Sequence, residues 1–412
     1  GENIVKGSMG AFSSGFNEPN IVEARKSRNR PDHCERQKEA NRWDLSGNEG
    51  CGLGALRGGI RFAAAYPITP ASDLLEWLSP RLEKLGGSLV QAEDELASIN
   101  MVIGASFGGV PSMTATSGPG LALMAEALGL SVAAEVPSVV VNVQRGGPST
   151  GIPTKSEQVD LDIALHGMHG DAPHLVLGAL DHADCVLTTE WAVRLAEALQ
   201  TVAIVLTDQN LAQSRAVIRK PAYRLPEIPE RLVAGEEEEY RRYEVTIDGV
   251  SPMAIPGTPG SAYVADGLEH SETGRPSTAA SDHAAQMDKR LRKIEDFDYG
   301  DHWADIRGEG SAAILTWGST AAAVREAVGR LADAGIEVKV IATRLLMPAS
   351  PEKMVAALEG VKRVLVVEQS HGEQFHRYLR AYYDIDAEVK VLARPGPLLI
   401  TAGEIVEQFE EW

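Results

Sequence analysis

From Leu45 onward, short apolar runs alternate with stretches of helical spacing. Asn48 can cap a first helix that carries Leu53 and Leu56 and ends at Gly58-Gly59. Residues 60–66 form a short apolar run bounded by glycines and Pro67, which reads as a buried strand. A helix follows from about Ala71, with Leu74, Leu75 and Leu78 on one face. The alternation then repeats, with strands at 88–92, 112–116 and 138–143 and helices at 93–107 and 121–133. After an irregular stretch it resumes with a helix at 190–199 and a strand at 203–207. Strands alternating with helices predict a parallel sheet covered on both faces.

Residues 221–310 break the rhythm. Proline and glycine are frequent there, with the acidic run 236–239 and a basic helix expected at 284–294. A stretch this long is either a functional or partner-wrapping loop or a solvated excursion between domains. From Ala312 a second α/β pattern begins. It has strands at 312–316, 338–342, 364–367 and 389–392 and helices at 319–334, 353–358 and 375–382, and it suggests a five-stranded flanking domain. The expected organisation is a polar tail or linker at 1–44, an α/β domain at 45–220, the loop-rich excursion at 221–310 and a smaller α/β domain at 311–412.

A length of 412 residues fits two or three domains. Lys and Arg number 39 against 58 Asp and Glu, a net charge of -19. Such a surface repels phosphate backbones, which argues against nucleic acid as a partner. No window approaches the ~18 uninterrupted apolar residues of a membrane span. The first residues lack the charged-then-apolar pattern of a signal peptide. Cys34, Cys51 and Cys185 share no CxxC spacing and are too few for a metal or iron–sulfur site made by this chain alone. The expectation is a reduced, cytoplasmic protein without a metal of its own, whose cysteines are small buried hydrophobes.

The run Gly50-Cys51-Gly52-Leu53-Gly54 invites a dinucleotide-binding reading, but Arg57 stands where the third glycine should be and residues 42–46 do not read as a strand. A tightly packed helix start is the better reading. Three other loops lie at the expected C-terminal ends of strands, where open α/β sheets bind ligands. Tyr66-Pro67-Ile68-Thr69-Pro70 holds one hydroxyl between two prolines. Gln91-Ala92-Glu93-Asp94-Glu95 sets carboxylates at a strand-to-helix switch, where complementing a helix N-terminus would be reason enough for them. The run from Gln144 and Arg145 through two glycines, several hydroxyls and Thr154 to Lys155 suits an anion such as a carboxylate.

Together with Thr116-Ser117-Gly118-Pro119-Gly120, these segments resemble the α subunit of 2-oxoacid:ferredoxin oxidoreductases. Ala254-Ile255-Pro256-Gly257-Thr258-Pro259-Gly260 and Gly267-Leu268-Glu269-His270 are similar to the 2-oxoglutarate type. The resemblance covers about residues 45–412. It implies a thiamin-diphosphate-enzyme-like parallel-sheet domain followed by a smaller transketolase C-terminal-like α/β domain. The implied enzyme is split over two chains. It decarboxylates a 2-oxoacid, passes the acyl group to coenzyme A and the electrons to ferredoxin, or runs in reverse. A β subunit would hold the diphosphate with its Mg2+ and a 4Fe-4S cluster, within a dimer of αβ heterodimers. The chain contains no Gly-Asp-Gly to begin a diphosphate–magnesium motif. Some family members begin with a fused γ domain, whose place here is taken by residues 1–42. It is therefore expected to be separate or missing.

By the same resemblance, Thr69, Arg145 and Thr154 contact the substrate, and Tyr66, Ile68 and Glu93 contact the cofactor. Glu93 would be the carboxylate against the pyrimidine N1′, buried at the end of an apolar strand. Asp94 and Glu95 would serve only the first helical turn. Lys155 is either a partner for a distal carboxylate or a solvated lysine. His166 and His169 read as helix-surface or core histidines, and Glu126 and Glu135 as helix-face residues. Pyruvate or a branched-chain 2-oxoacid stays open as substrate. A non-catalytic scaffold and a transketolase-like enzyme without ferredoxin stay open as rivals.

Overall fold

The computed structural model describes residues 42–152, 154–221, 225–235, 239–410 and 412. The expected tail up to residue 41, with Cys34, lies outside them, as do Pro153 and most of the acidic run. A strand β1 (Arg42–Ser46) leads into α1 (Gly47–Gly58). Then β2 (Phe62–Ala65), α2 (Ser72–Lys84), β3 (Ser88–Gln91), α3 (Glu95–Phe107), β4 (Ser112–Thr116), α4 (Gly118–Ala133) and β5 (Ser138–Gln144) alternate. They are followed by α5 (Leu161–His166), β6 (Leu175–Gly178), α6 (His182–Leu199), β7 (Val202–Asp208), α7 (Gln209–Gln213) and β8 (Arg215–Arg219). The excursion ends in α8 (Ala280–Glu295). The remainder is β9 (Ala304–Arg307), β10 (Ala312–Trp317), α9 (Thr320–Asp333), β11 (Lys339–Thr343), β12 (Leu345–Met347), α10 (Pro351–Ala357), β13 (Arg363–Glu368), α11 (Gln374–Tyr382), β14 (Glu388–Ala393) and α12 (Ala402–Glu410).

A seven-stranded sheet runs β12-β6-β7-β5-β4-β2-β3 and is parallel except for β12, which lies antiparallel on β6. A five-stranded sheet runs β14-β13-β10-β11-β9 and is parallel except for β9. The strands β4, β5 and β7 are buried along their whole length. The apolar runs of β5 and β7, such as Val139-Val140-Val141, are what a sheet covered on both faces requires. Among the described residues no helix is long and apolar enough to cross a membrane.

Local departures from the sequence reading have local causes. Ser46 rather than Asn48 caps α1, because Ser46 and Glu49 bond each other's backbone N–H in a capping box. Asn48 instead donates to the Pro70 carbonyl at 3.0 Å and tethers the loop after β2. Residues 42–46 form a strand after all, paired with β8 and buried only at Leu45 and Ser46, so no apolar run announces it. The glycine-rich run is a helix contact. A Cβ on Gly54 would lie 2.4 Å from the Val186 carbonyl oxygen, and one on Gly58 would lie 2.6 Å from the Val193 Cβ, both on α6. Cys51 and Cys185 are buried free thiols at this seam.

The excursion is not solvated throughout. On α8, Lys289 and Lys293 are buried, and both donate to Glu135 at 2.7 Å. Arg242 donates to the Glu135 carbonyl at 2.7 Å. Glu135 is therefore no helix-face residue: it follows α4, is fully buried and anchors the excursion to the first sheet's helices. Glu126 is exposed on α4. Burial alone would raise the Glu135 carboxyl, but Lys293, Lys289 and Arg242 outweigh it and hold the group well below the usual carboxylate range.

Glu135→Gln leaves two buried ammonium groups without their counter-charge. It should cost about 3–5 kcal/mol of stability at pH 7, read from the urea midpoint. In the wild type this contribution is present above the ordinary carboxyl value of 4.5 and is lost as pH falls toward the depressed folded value. An unchanged midpoint in the variant would show that the lysines do not depend on Glu135.

Candidate active site

The strands β2, β3, β4 and β5 are parallel, so the loops that follow them open on one edge of the sheet. The two strands that follow β2 in the chain, β3 and β4, lie on either side of it, which makes a crevice at that edge. Arg145 follows β5 and is half-buried. Its Nη1 donates to the Thr69 carbonyl at 2.7 Å, and its Nε is buried without a partner. The guanidinium is thus held from one side, while among the described residues no carboxylate pairs with its remaining donors. That arrangement suits an incoming anion. Thr69 is exposed beside it.

The loop beyond Arg145 closes on itself. Gly146 N–H donates to the Lys155 carbonyl and Ile152 N–H to the Gly146 carbonyl, each at 3.0 Å. Thr154 is half-buried and left-handed, with φ 49, and Lys155 is exposed. The base of the loop is pinned to the sheet by buried side chains, of which the sequence reading named only Gln144. Gln144 donates to the Thr207 carbonyl at 3.0 Å and accepts from Asp160 N–H at 2.9 Å. Ser156 donates to Asp208 and Asn142 donates to Asp160, each at 2.8 Å. Burial pushes the Asp160 carboxyl up to about 6, while Asn142 and Arg145 oppose the rise. Burial likewise raises Glu157.

The second sheet completes the clamp. Gln158 donates to the Trp317 carbonyl at 2.9 Å, and Gln158 and Gln369 exchange two bonds of 2.8 Å. Gln374 on α11 donates to the Val159 carbonyl at 2.9 Å. Residues 156–160 are therefore gripped between the C-terminal ends of two sheets. A polar stretch of this kind reads as loop in a sequence, and only its partners, from 16 to 215 residues away, reveal its burial.

The carboxylates behave differently from expectation. The strand β3 is an edge strand with mostly exposed positions, and Glu93 beyond it is exposed. Asp94 caps α3 by accepting from Ala97 N–H at 2.7 Å. Glu95 is buried against Gly120 and Thr116, so solvent does not account for it. Ala92 N–H bonds the Ala65 carbonyl at 3.0 Å, which brings Glu93 alongside Tyr66. Tyr66 is 42% exposed and Ile68 is half-buried against the core. An exposed aromatic ring, an aliphatic side chain and a carboxylate on adjacent strand ends suit one face of a nitrogen heterocycle such as a pyrimidine. The Ser117 hydroxyl at the start of α4 is buried without a partner. Among the described residues no cluster of His, Cys, Asp and Glu could hold a metal ion. His166 stacks on Tyr382 and, with Met168 and Met287, lines a cavity of about 630 Å³. That cavity lies by the start of β6, at the opposite edge of the sheet from the crevice. His169 is exposed in the same segment.

Residues 53–289 match the family described as pyruvate flavodoxin/ferredoxin oxidoreductase, thiamine diphosphate-binding. The chain belongs to this family. A 2-oxoacid:ferredoxin oxidoreductase α subunit of Aeropyrum pernix is 38% identical over 87% of the chain and 60% of its own length. The 2-oxoglutarate synthase subunit KorA of Methanothermobacter thermautotrophicus is 33% identical over 85% of the chain and 94% of its own length. Among solved structures, the 2-oxoglutarate:ferredoxin oxidoreductase of Magnetococcus marinus, with 2-oxoglutarate, coenzyme A and succinyl-CoA bound, superposes with a TM-score of 0.84. It is 43% identical and covers 90% of this chain and 65% of that one. A split-gene transketolase shares the fold at 13% identity and a TM-score of 0.50, covering 89% of this chain and 98% of that one. The chain spans about 60% of the Aeropyrum relative's length. The expected fold class holds: a thiamin-diphosphate-enzyme-like parallel-sheet domain is followed by a smaller α/β domain, in the oxidoreductase family that the sequence motifs indicated.

Proposed function

We propose that the chain is the α subunit of a thiamin-diphosphate-dependent 2-oxoacid:ferredoxin oxidoreductase. It acts with a β subunit to convert 2-oxoglutarate and coenzyme A to succinyl-CoA and carbon dioxide, or in reverse, with ferredoxin carrying the electrons. The observation that carries this reading is Arg145, bonded to the Thr69 carbonyl and left with a buried, unpartnered Nε. The names and bound ligands of the relatives support 2-oxoglutarate among the 2-oxoacids. So does Lys155, an exposed cation on the loop's closing leg that suits a distal carboxylate.

In this reading Arg145 holds the carboxylate beside the ketone by charge-assisted hydrogen bonds, while Thr69 and Thr154 orient it. Tyr66 and Ile68 line the pyrimidine. Glu93 holds a proton at its N1′, a role that needs a buried carboxyl. Glu93 is exposed in this chain, so the cover must come from the β subunit. The bound cofactor supplies the electron sink for loss of the carboxylate. The β subunit holds the Mg2+, the diphosphate and a 4Fe-4S cluster, and the enzyme is a cytoplasmic dimer of αβ heterodimers.

In the reconstituted enzyme, Arg145→Met should raise the KM for the 2-oxoacid by the equivalent of roughly 2–5 kcal/mol, with cofactor content unchanged. An unchanged KM makes the arginine a scaffold residue. Glu93→Gln should keep assembly and cluster content, remove most turnover and slow hydrogen–deuterium exchange at the cofactor C2. If exchange stays fast in that variant while Glu95→Gln slows it, the buried Glu95 is the activating group.

A further inference from the structure

We propose that Asp160 is a positioning residue of the 2-oxoacid site, whose carboxyl holds the Arg145 loop from beneath and sets how strongly Arg145 retains an anion. This rests on the role given to Arg145 above. An Asp in front of a helix ordinarily caps it. Asp160 stands in that position before α5, yet its side chain makes no capping bond. The carboxyl turns instead to the crevice floor. It accepts from Asn142 on β5 at 2.8 Å. It also fills the space at the start of α4, where a Cβ on Gly118 would lie 2.5 Å from its Oδ1. Its backbone N–H is held by Gln144. The end of β5, the start of α4 and the return leg of the anion loop therefore meet on one side chain that is 8% exposed.

Its charged surroundings are few. Arg145 attracts it and Glu157 repels it, both from the loop. Glu95 on α3 packs against Gly120, two residues beyond Gly118. From the second sheet's side, Gln374 is neutral, and Arg377 pairs with Asp162 next along α5. Arg145 is thus the cation that an ionised Asp160 draws upon, and burial brings the carboxyl up to about 6. A substrate carboxylate on Arg145 opposes ionisation of Asp160, so binding takes up a proton. By linkage, affinity rises as pH falls through the carboxyl's range, and a shift of about one unit on binding changes KM about tenfold.

The test uses the reconstituted αβ enzyme, with KM for 2-oxoglutarate and kcat measured from pH 5.5 to 8.5. Wild-type KM should fall about tenfold toward the acid end. Asp160→Asn keeps an acceptor for Asn142 and is always neutral. It should show the low KM at pH 8 and a flat KM profile, with kcat changed much less. A wild-type KM independent of pH, or an Asp160→Asn profile that keeps the wild-type slope, overturns the proposal. Should Asp160→Asn fail to assemble, Asn142→Ala serves: it removes a bond that favours the ionised carboxyl. The midpoint of the KM profile should then move to higher pH, and an unmoved midpoint overturns the proposal. Arg145→Met separates the two ideas. A raised KM there with an unaltered Asp160→Asn profile rejects only the role of Asp160, and a wild-type KM in Arg145→Met rejects the substrate site itself.

Discussion

Everything at the crevice depends on how Arg145 is held. A guanidinium with an unpaired, buried Nε costs roughly 1–3 kcal/mol, and the chain carries that cost at the mouth of a sheet rather than relaxing the side chain into water. It can do so because the arginine is not on a free loop. Its carbonyl partner at Thr69 is fixed through Asn48 and Pro70, and its own strand end is fixed through Gln144 and Asn142. Removing the loop's footing would release Arg145 to solvent, and with it the anion site proposed for the loop.

That footing comes from the second sheet as much as from the first. Gln158 and Gln369 lock the loop's return leg to the ends of β10 and β13. Arg344 reaches Asp184 at 2.9 Å, and Arg325 joins Asp181 to Asp305, so the start of α6 is tied to the second sheet by charge. The strand β12 goes further and pairs with β6 in the first sheet. On the other side, Glu135 with Lys289 and Lys293 welds α8 of the excursion beneath the same helices. A buried pair of this kind is weak evidence of net stability, but breaking it is costly, so it specifies where the excursion sits.

How much of this was legible follows from what kind of signal each part leaves. The strands β5 and β7 were readable because burial on both faces demands long apolar runs, while β6, equally buried but only four residues long, was missed. The short strands β1 and β8 were not readable, since half-exposed positions leave no such run, nor was β12, whose three residues are too few to make one. The glycines before Arg57 carried a real signal, close approach, but it comes from α6 and from Trp77 on α2. Arg145 and Thr69 stood out as residue types at strand ends. Asp160 and Glu135 did not, because their partners are a strand, a distant helix and a loop that no spacing rule connects. The carboxylates after β3 were misjudged in burial. Glu93, just beyond an exposed edge strand, is open, and Glu95, packed against Gly120, is closed.

On the proposed reading, the exposed Glu93 beyond the edge strand β3 and the exposed Tyr66 beyond its neighbour β2, beside the braced Arg145 loop, make this chain one wall of an active site rather than the whole of it. Titration calorimetry with thiamin diphosphate and Mg2+ tests that most directly, on the chain alone, on the β subunit and on their complex. The account predicts no measurable binding to the isolated chain, tight binding to the complex, and loss of cofactor-dependent turnover when either chain is omitted. Tight binding and turnover by the isolated chain would contradict it.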